Sequence, residues 1–290
     1  MRTLVTGAAG QLGREVTRRF AKYGPVVALR RNGLDITDHE AVLTAVGEAA
    51  PDVILNCAAY NNVDGAEDDP VTAMRVNAFA VRSLATAARE RDAVLVHYGT
   101  DFVFDGDASE PYAESVPPGP QSVYATSKLL GEWFAVGAPR HYILRVESLF
   151  GGGAERTDPG DPPLGSTLDR MVNALEAGRP ISGFTDRIVS PSYVPDVAAA
   201  TAVLVATSSA PGLYHCVNTG HASWYDVALA AARRLGREAL LSPITMADVN
   251  TPAARPRYCA LSNDKIRGAG AVMPRWEDAL ERYLEARQAS

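Results

Sequence analysis

Cysteine is scarce in this chain of 290 residues: there are three, Cys57, Cys216 and Cys259. Their odd number and wide spacing fit reduced thiols in a cytoplasm better than a disulfide framework. Long apolar runs are missing as well. The longest, such as residues 198–206, fall well short of the roughly 20 residues needed to cross a bilayer. The N-terminus, MRTLVTGAAG, enters a β-like run at once with no apolar h-region, so no secretory signal is legible. Positive charge is in deficit, with 28 Lys and Arg against 34 Asp and Glu and a net charge of -6. That balance argues against a nucleic-acid backbone as the main partner. The five histidines and three cysteines show no metal-ligand spacing, so no metal is expected. At 47% hydrophobic and 21% charged, the composition is that of an ordinary globular protein, and neither disorder nor a membrane partner is expected.

What the chain does have is alternation. TLVTG, PVVALR, DVILNCAA, AVLVHYGT and YILRVESLF are apolar without a two-residue period, the pattern of parallel strands covered on both faces. Between them residues 11–23, 37–50, 70–91 and 122–137 have helical length and composition. Repeated βα units of this kind predict an α/β fold, a doubly wound (Rossmann) parallel sheet over residues 1–150. Residues 151–165, GGGAERTDPGDPPLG, read as a Gly/Pro loop and a boundary. Beyond it a helix (166–178), a strand (180–188), a helix (195–208), GLYHCVN and a helix from Ser223 are expected. Elements near 180–220 are read as returning to the sheet, and residues 151–179 and 221–290 as a smaller substrate-binding lobe. The stretch PITMADVNTPAARPRYCALSNDKI is irregular, rich in Pro and Arg, and reads as a binding lobe more than a core.

Gly7, Gly10 and Gly13 follow the first strand and open the first helix. Glycines there let the backbone turn tightly and approach a pyrophosphate at the helix N-terminus. The second strand ends in Arg30 and Arg31, where an NAD site usually offers an acid. Arginine suits a 2′-phosphate, so NADPH is favoured, with NADH admitted; the bland alternative is a pair of exposed turn residues. In VYATSK, Tyr124 and Lys128 stand one helical turn apart and share a face. A tyrosine with an ordinary pKa near 10 needs a displacement of roughly three pH units to shuttle protons at neutrality, and a nearby ammonium has the right sign. His97 reads as a structurally satisfied histidine, Asp105-Gly106-Asp107 as a turn, and Glu15 as a helix-surface acid.

The glycine loop, PDVILNCAAYNNVDGAE, VNAFA, HYGTDFVFDG, PQSVYATSKLLGE, GLYHCVNTGHASWYD and TPAARPRYCALSNDK resemble, in order, the extended short-chain dehydrogenase/reductases, and within them the dTDP-4-dehydrorhamnose reductases. The resemblance runs from residue 1 to about residue 280. It implies Tyr124 as proton donor, Lys128 as its helper and Thr100 as the hydroxyl that holds the substrate carbonyl. It implies cofactor contacts from Gly7, Gly10, Gln11, Leu12, Arg30, Arg31, Asp35, Ile36, Ala59, Tyr60, Asn61 and Tyr98, besides Tyr124 and Lys128. Asp101 would face a sugar. Arg255 and Arg257 would clamp its diphosphate or, alternatively, pair with surface acids. The reaction implied is NADPH-dependent reduction of the 4-keto group of a nucleotide-linked 6-deoxy sugar, in a monomer or a homodimer. The family usually writes R-T-S-W-x-Y-G where this chain has Arg145 to Gly151, so Glu147 and Ser148 mark an altered sugar pocket. Two other readings stand beside this one. One is a non-catalytic subunit like the regulatory subunit of methionine adenosyltransferase. The other is a nucleotide-sugar epimerase or dehydratase, disfavoured because Asp101-Phe102 lacks the dehydratase Asp-Glu pair.

Overall fold

Apolar runs without a two-residue period must be covered on both faces, and that is how β1 (Thr3–Thr6), β3 (Val53–Asn56) and β4 (Val94–Thr100) lie, buried along their whole length. The computed structural model describes residues 1–151 and 165–289. With β2 (Val26–Leu29), β5 (His141–Val146) and a sixth strand, Gly212–His215, they form one all-parallel sheet. Its order is sixth strand, β5, β4, β3, β1, β2. The winding reverses between β1 and β3, which opens a crevice beyond their carboxyl ends, the usual place for a ligand in such a sheet.

The helices are α1 (Gln11–Phe20), α2 (His39–Ala49), α3 (Val63–Asp68), α4 (Pro70–Met74), α5 (Ala80–Glu90), α6 (Val123–Ala135), α7 (Thr167–Glu176), α8 (Val194–Ala206), α9 (Trp224–Leu235), α10 (Asp264–Gly268) and α11 (Trp276–Gln288). Leu12, Val16 and Phe20 of α1 pack with Val197 and Leu204 of α8 on one sheet face. Val42 and Val46 of α2, Val81 and Leu84 of α5 and Ala135 of α6 cover the other. Beyond residue 190, α8 packs on the sheet and the sixth strand joins it. A separate cluster joins Leu168, Val172, Trp224, Val227, Trp276, Leu280 and Tyr283 from α7, α9 and α11. No helix among the described residues is long and apolar enough to cross a membrane.

Four elements depart from the sequence reading. The helix expected over 70–91 is interrupted by a π-helical turn, Arg75–Phe79, and α3 precedes it, capped by Asn62. The strand expected to run to Phe150 stops at Val146; Ser148 adopts φ +47°, and Leu149–Phe150 pairs instead with Ser192–Tyr193. The strand expected at 180–188 is two, Ile181–Phe184 and Ile188–Val189. The C-terminal stretch, expected to be irregular, contains a strand, Leu241–Ile244, that pairs with Ile181–Phe184, and its Cys259, Ala260 and Leu261 are buried. Of the loop expected at 151–165, residues 152–164 lie outside the described ones.

Candidate active site

The turn from β1 into α1 needs its glycines. Gly7 has φ +66°, and a Cβ there would lie 2.5 Å from the Ala58 nitrogen; one at Gly13 would lie 2.2 Å from the Gly7 oxygen. At these two positions only glycine fits without moving backbone. Gly10 caps α1 with no side chain of its own, and the first turn holds no acid. The helix therefore points the positive end of its dipole into this turn. Next to it, α6 is capped by Ser122, which accepts from the Ala125 N–H. Tyr124 and Lys128 sit on the buried side of that helix.

One cavity of about 400 Å³ joins these two ends, lined by Gly10 to Gly13, Ala59, Asn61, Tyr98, Thr100, Asp101, Phe102, Tyr124, Lys128 and Ser148 among others. Lys128 Nζ donates to the Tyr98 carbonyl at 2.6 Å, and burial lowers its pKa from the ordinary 10.5 to about 8, partly offset by Glu132. Burial, then the nearby Asp101, pushes the Tyr124 phenol up, while a hydrogen bond with Thr100 pulls it down. The expected downward displacement of the tyrosine is thus reversed in the protein alone: Lys128 spends its hydrogen bond on Tyr98, and desolvation of a phenolate dominates. Thr100 Oγ1 donates to Asp101 Oδ1 at 3.0 Å. Phe102 meets Tyr124 edge-on at 5.6 Å.

The remaining expected residues fall in three groups. Arg30 and Arg31 are exposed beyond β2, and the Arg30 carbonyl accepts from the Gly33 and Leu34 N–H groups in the turn that follows. Asp35 Oδ1 accepts from the Thr37 N–H and hydroxyl, which hold its carboxyl below the usual range. Ile36 packs in the core beneath α2, so it offers a ligand its backbone and not its side chain. The Tyr98 hydroxyl is tied to Thr201, which leaves its carbonyl, through Lys128, as its link to the site. Arg255 makes a two-pronged ion pair with Asp64, at 2.9 and 2.7 Å. Arg257 lies 3.6 Å from Asp186, and neither arginine lines the cavity. Glu147 is buried with Oε2 held by the Ser190 N–H at 2.8 Å, whereas Ser148 reaches the cavity wall. His97 is buried, bonded to Asn56. Asp105 accepts from Tyr112 and the Asp107 N–H in a turn, and Glu15 pairs with Arg18 on the helix surface.

The glycine turn and the Thr–Tyr–Lys wall around one cavity coincide with a whole-chain match: residues 1–289 fit the family described as RmlD substrate binding domain. The chain belongs to this family. It is 39% identical over 285 residues to a probable dTDP-4,6-dihydroxy-2-methyloxan-3-one 4-ketoreductase of Streptomyces antibioticus, covering 97% of this chain and 93% of that one. It is also 39% identical to a dTDP-4-dehydrorhamnose reductase of Streptomyces griseus, covering 98% and 93%. Among solved structures, the dTDP-4-dehydrorhamnose reductase of Bacillus anthracis in complex with NADP superposes with a TM-score of 0.89 at 32% identity, covering 98% of this chain and 99% of that one.

Two groups supporting the site of this RmlD-family chain carried no role in the sequence reading. Asn77, in the π turn, accepts from the Tyr60 N–H at 2.8 Å and donates to the Tyr60 carbonyl and to Ser127 Oγ, both at 3.0 Å. Ser127 Oγ in turn donates to the Tyr124 carbonyl, so Asn77 fixes the tyrosine's helix to the loop after β3. Its signal was the VNAFA motif, matched as a string without asking what an asparagine does in mid-helix. Glu132 and Arg145 form a buried ion pair at 2.8 Å behind Lys128. Nothing local in the sequence joins those two.

Proposed function

We propose that this chain is an NADPH-dependent reductase of the 4-keto group of a nucleotide-linked 6-deoxy sugar, dTDP-4-dehydrorhamnose or a related deoxysugar, with NADH as a weaker donor. The observation that carries the reading is the single cavity walled at one end by the glycine turn and at the other by Thr100, Tyr124 and Lys128. The dinucleotide fits what is there: a backbone cradle that a Cβ would fill at Gly7 and Gly13, a helix N-terminus with no competing acid, and a buried ammonium at Lys128. We assign Gly7, Gly10, Gln11, Leu12, Ala59, Asn61 and Lys128 to hold it, and Arg30 and Arg31 to meet a 2′-phosphate. When bound, the reduced nicotinamide supplies a hydride to the keto carbon.

The protein's share is the proton. With its pKa pushed upward, Tyr124 is fully protonated at neutral pH, the state a reduction needs. As charge grows on the keto oxygen, the phenol and the Thr100 hydroxyl donate to it, and Tyr124 gives up its proton. Lys128, held at its carbonyl anchor, keeps a positive charge at neutral pH near the phenolate so formed. We place the sugar against Asp101, Phe102 and Ser148, with residues 165–179 and 221–289 as the lobe around it. Arg255 and Arg257 stay assigned to the diphosphate, which requires Arg255 to leave Asp64.

The test is consumption of NADPH, and more slowly NADH, with dTDP-4-keto-6-deoxyglucose in the presence and absence of a 3,5-epimerase. Tyr124→Phe should lower kcat by about 100-fold or more with little change in cofactor affinity. No turnover with any 4-keto sugar would overturn the assignment. A homodimer is proposed from the exposed Phe79, Trp133 and Val136 on adjacent helices, with Phe79 6.0 Å from Phe134. Sedimentation of wild type and Trp133→Glu should give dimer and monomer, and a monomeric wild type ends that idea. The free, largely buried thiols support a reducing, cytoplasmic setting.

A further inference from the structure

Lys128 must keep its charge near Tyr124, and most of its surroundings oppose that. The side chain is buried, and burial brings its pKa down to about 8. Its ammonium donates to a neutral group, the Tyr98 carbonyl. Cys57 beyond β3, His97 and Tyr98 on β4, and Tyr124 on α6 are the other titratable groups beside it, and desolvation holds each in its neutral form at pH 7. Among the described residues, the anion facing this ammonium is Glu132.

Glu132 stands one helical turn beyond Lys128 on the same buried side of α6. Its two oxygens accept from Arg145, from Nε at 3.0 and 3.2 Å and from Nη2 at 2.8 Å. A guanidinium has no neutral form in the working pH range, and both carboxyl oxygens are accepting. Glu132 is therefore ionised at neutral pH, although burial raises its pKa against the pull of Arg145 and then Lys128. Facing Arg145 from the sixth strand, His215 is neutral, lowered to about 3 by burial and then by the arginine. One carboxylate thus serves two cations, bonding Arg145 and acting on Lys128 through space.

A second contact fixes where that charge sits. Gly99 is the register partner of Arg145, and a Cβ at Gly99 would lie 2.3 Å from Glu132 Oε1. The carboxylate rests on β4 at the residue between Tyr98, whose carbonyl anchors the ammonium, and Thr100. The missing side chain at Gly99 is the room it occupies.

We propose that Glu132, anchored by Arg145 and seated on Gly99, is a positioning residue for the reduction: acting through Lys128, it holds the ammonium charged and at its Tyr98 anchor. The inference deepens the reductase reading and rests on it. Glu132 itself exchanges no proton with substrate or cofactor.

The experiment is the pH profile of kcat with NADPH and a 4-keto sugar that wild type reduces. The Tyr124 phenol titrates higher than Lys128, so the wild-type basic limb should fall near pH 8, with the lysine. In Glu132→Gln the limb should move acidward by about one pH unit or more. A displacement of that size cuts the charged fraction near pH 8 about fivefold. Glu132→Asp, which keeps the charge, should leave the limb in place whatever it does to kcat. Glu132→Gln/Arg145→Met leaves no unpaired arginine and serves if the single variant folds poorly; its limb should move the same way. A readout without turnover is thermal unfolding at pH 7, where Lys128→Met should raise Tm more in either glutamine background than in wild type. A limb unmoved in both glutamine variants, or moved as far by aspartate, or a methionine gain no larger than in wild type, overturns the proposal and leaves the reductase reading intact. Absence of wild-type turnover tells against the reductase reading itself, and the melting comparison still decides whether Glu132 sustains the lysine's charge.

Discussion

Replacing Lys128 by methionine should abolish catalysis and yet make the protein more stable. The side chain is buried, its ammonium donates to the Tyr98 carbonyl, and burial takes its pKa from 10.5 to about 8. That displacement corresponds to about 3 kcal/mol by which the fold is weakened whenever the lysine is charged. Because the native pKa lies below the unfolded one, the unfolded chain holds more protons between pH 8 and 10.5, and stability from this group rises with pH across that window. The penalty is complete below pH 8 and gone above about 10.5. Methionine, of similar length and uncharged, removes it. For a chain of this size 3 kcal/mol amounts to about 5 °C in Tm. The assay is thermal unfolding without nucleotide from pH 7 to 10.5. The variant should melt higher at pH 7, and the gap should close as the wild-type ammonium loses its proton. A variant that melts below wild type at pH 7, or a gap that persists unchanged to pH 10.5, would refute the reasoning. In the same preparation kcat should fall by orders of magnitude.

Gly13→Ala would put a Cβ 2.2 Å from the Gly7 oxygen and 2.9 Å from the Ala8 Cα, so the turn must shift. Fluorescence titration should find NADPH bound about tenfold more weakly or worse, and unchanged affinity would mean that the turn does not hold the cofactor. Asn77→Ala removes hydrogen bonds of 2.8, 3.0 and 3.0 Å and leaves the Tyr60 peptide unpaired. Urea unfolding should register a loss of about 3 kcal/mol, with a fall in kcat because Ser127 and Tyr124 lose their brace. A full-stability Asn77→Ala enzyme would contradict that account.

Much of the sheet and half of the site were legible in the sequence for a physical reason: they are local. Strands covered on both faces need unbroken apolar runs such as residues 94–96, and a helical turn fixes the Tyr124–Lys128 spacing. The π turn was not legible, because one extra residue per turn leaves no compositional trace. α11 was legible but unread, for Trp276, Ala279, Leu280, Tyr283 and Leu284 are its buried residues at helical spacing. What sequence could not yield is pairing between distant segments. Arg255 finds Asp64 across 191 positions, and Asp101, Glu147 and Cys259 converge from three segments. The break at Ser148 is of the same kind, since it follows from Glu147 being anchored to Ser190.

The return of α8 and the sixth strand bears on how the protein is made. One face of β1, β3 and β4 is covered in part by α8, and the free edge of β5 is closed by Gly212–His215. When the ribosome has released the first 150 residues, that face is bare and that edge has unpaired peptide groups, both invitations to aggregation. About 65 further residues must emerge, which at ordinary elongation rates takes roughly 3 to 13 seconds. The nascent chain passes through that interval with its nucleotide cradle drafted and its sheet still unfinished.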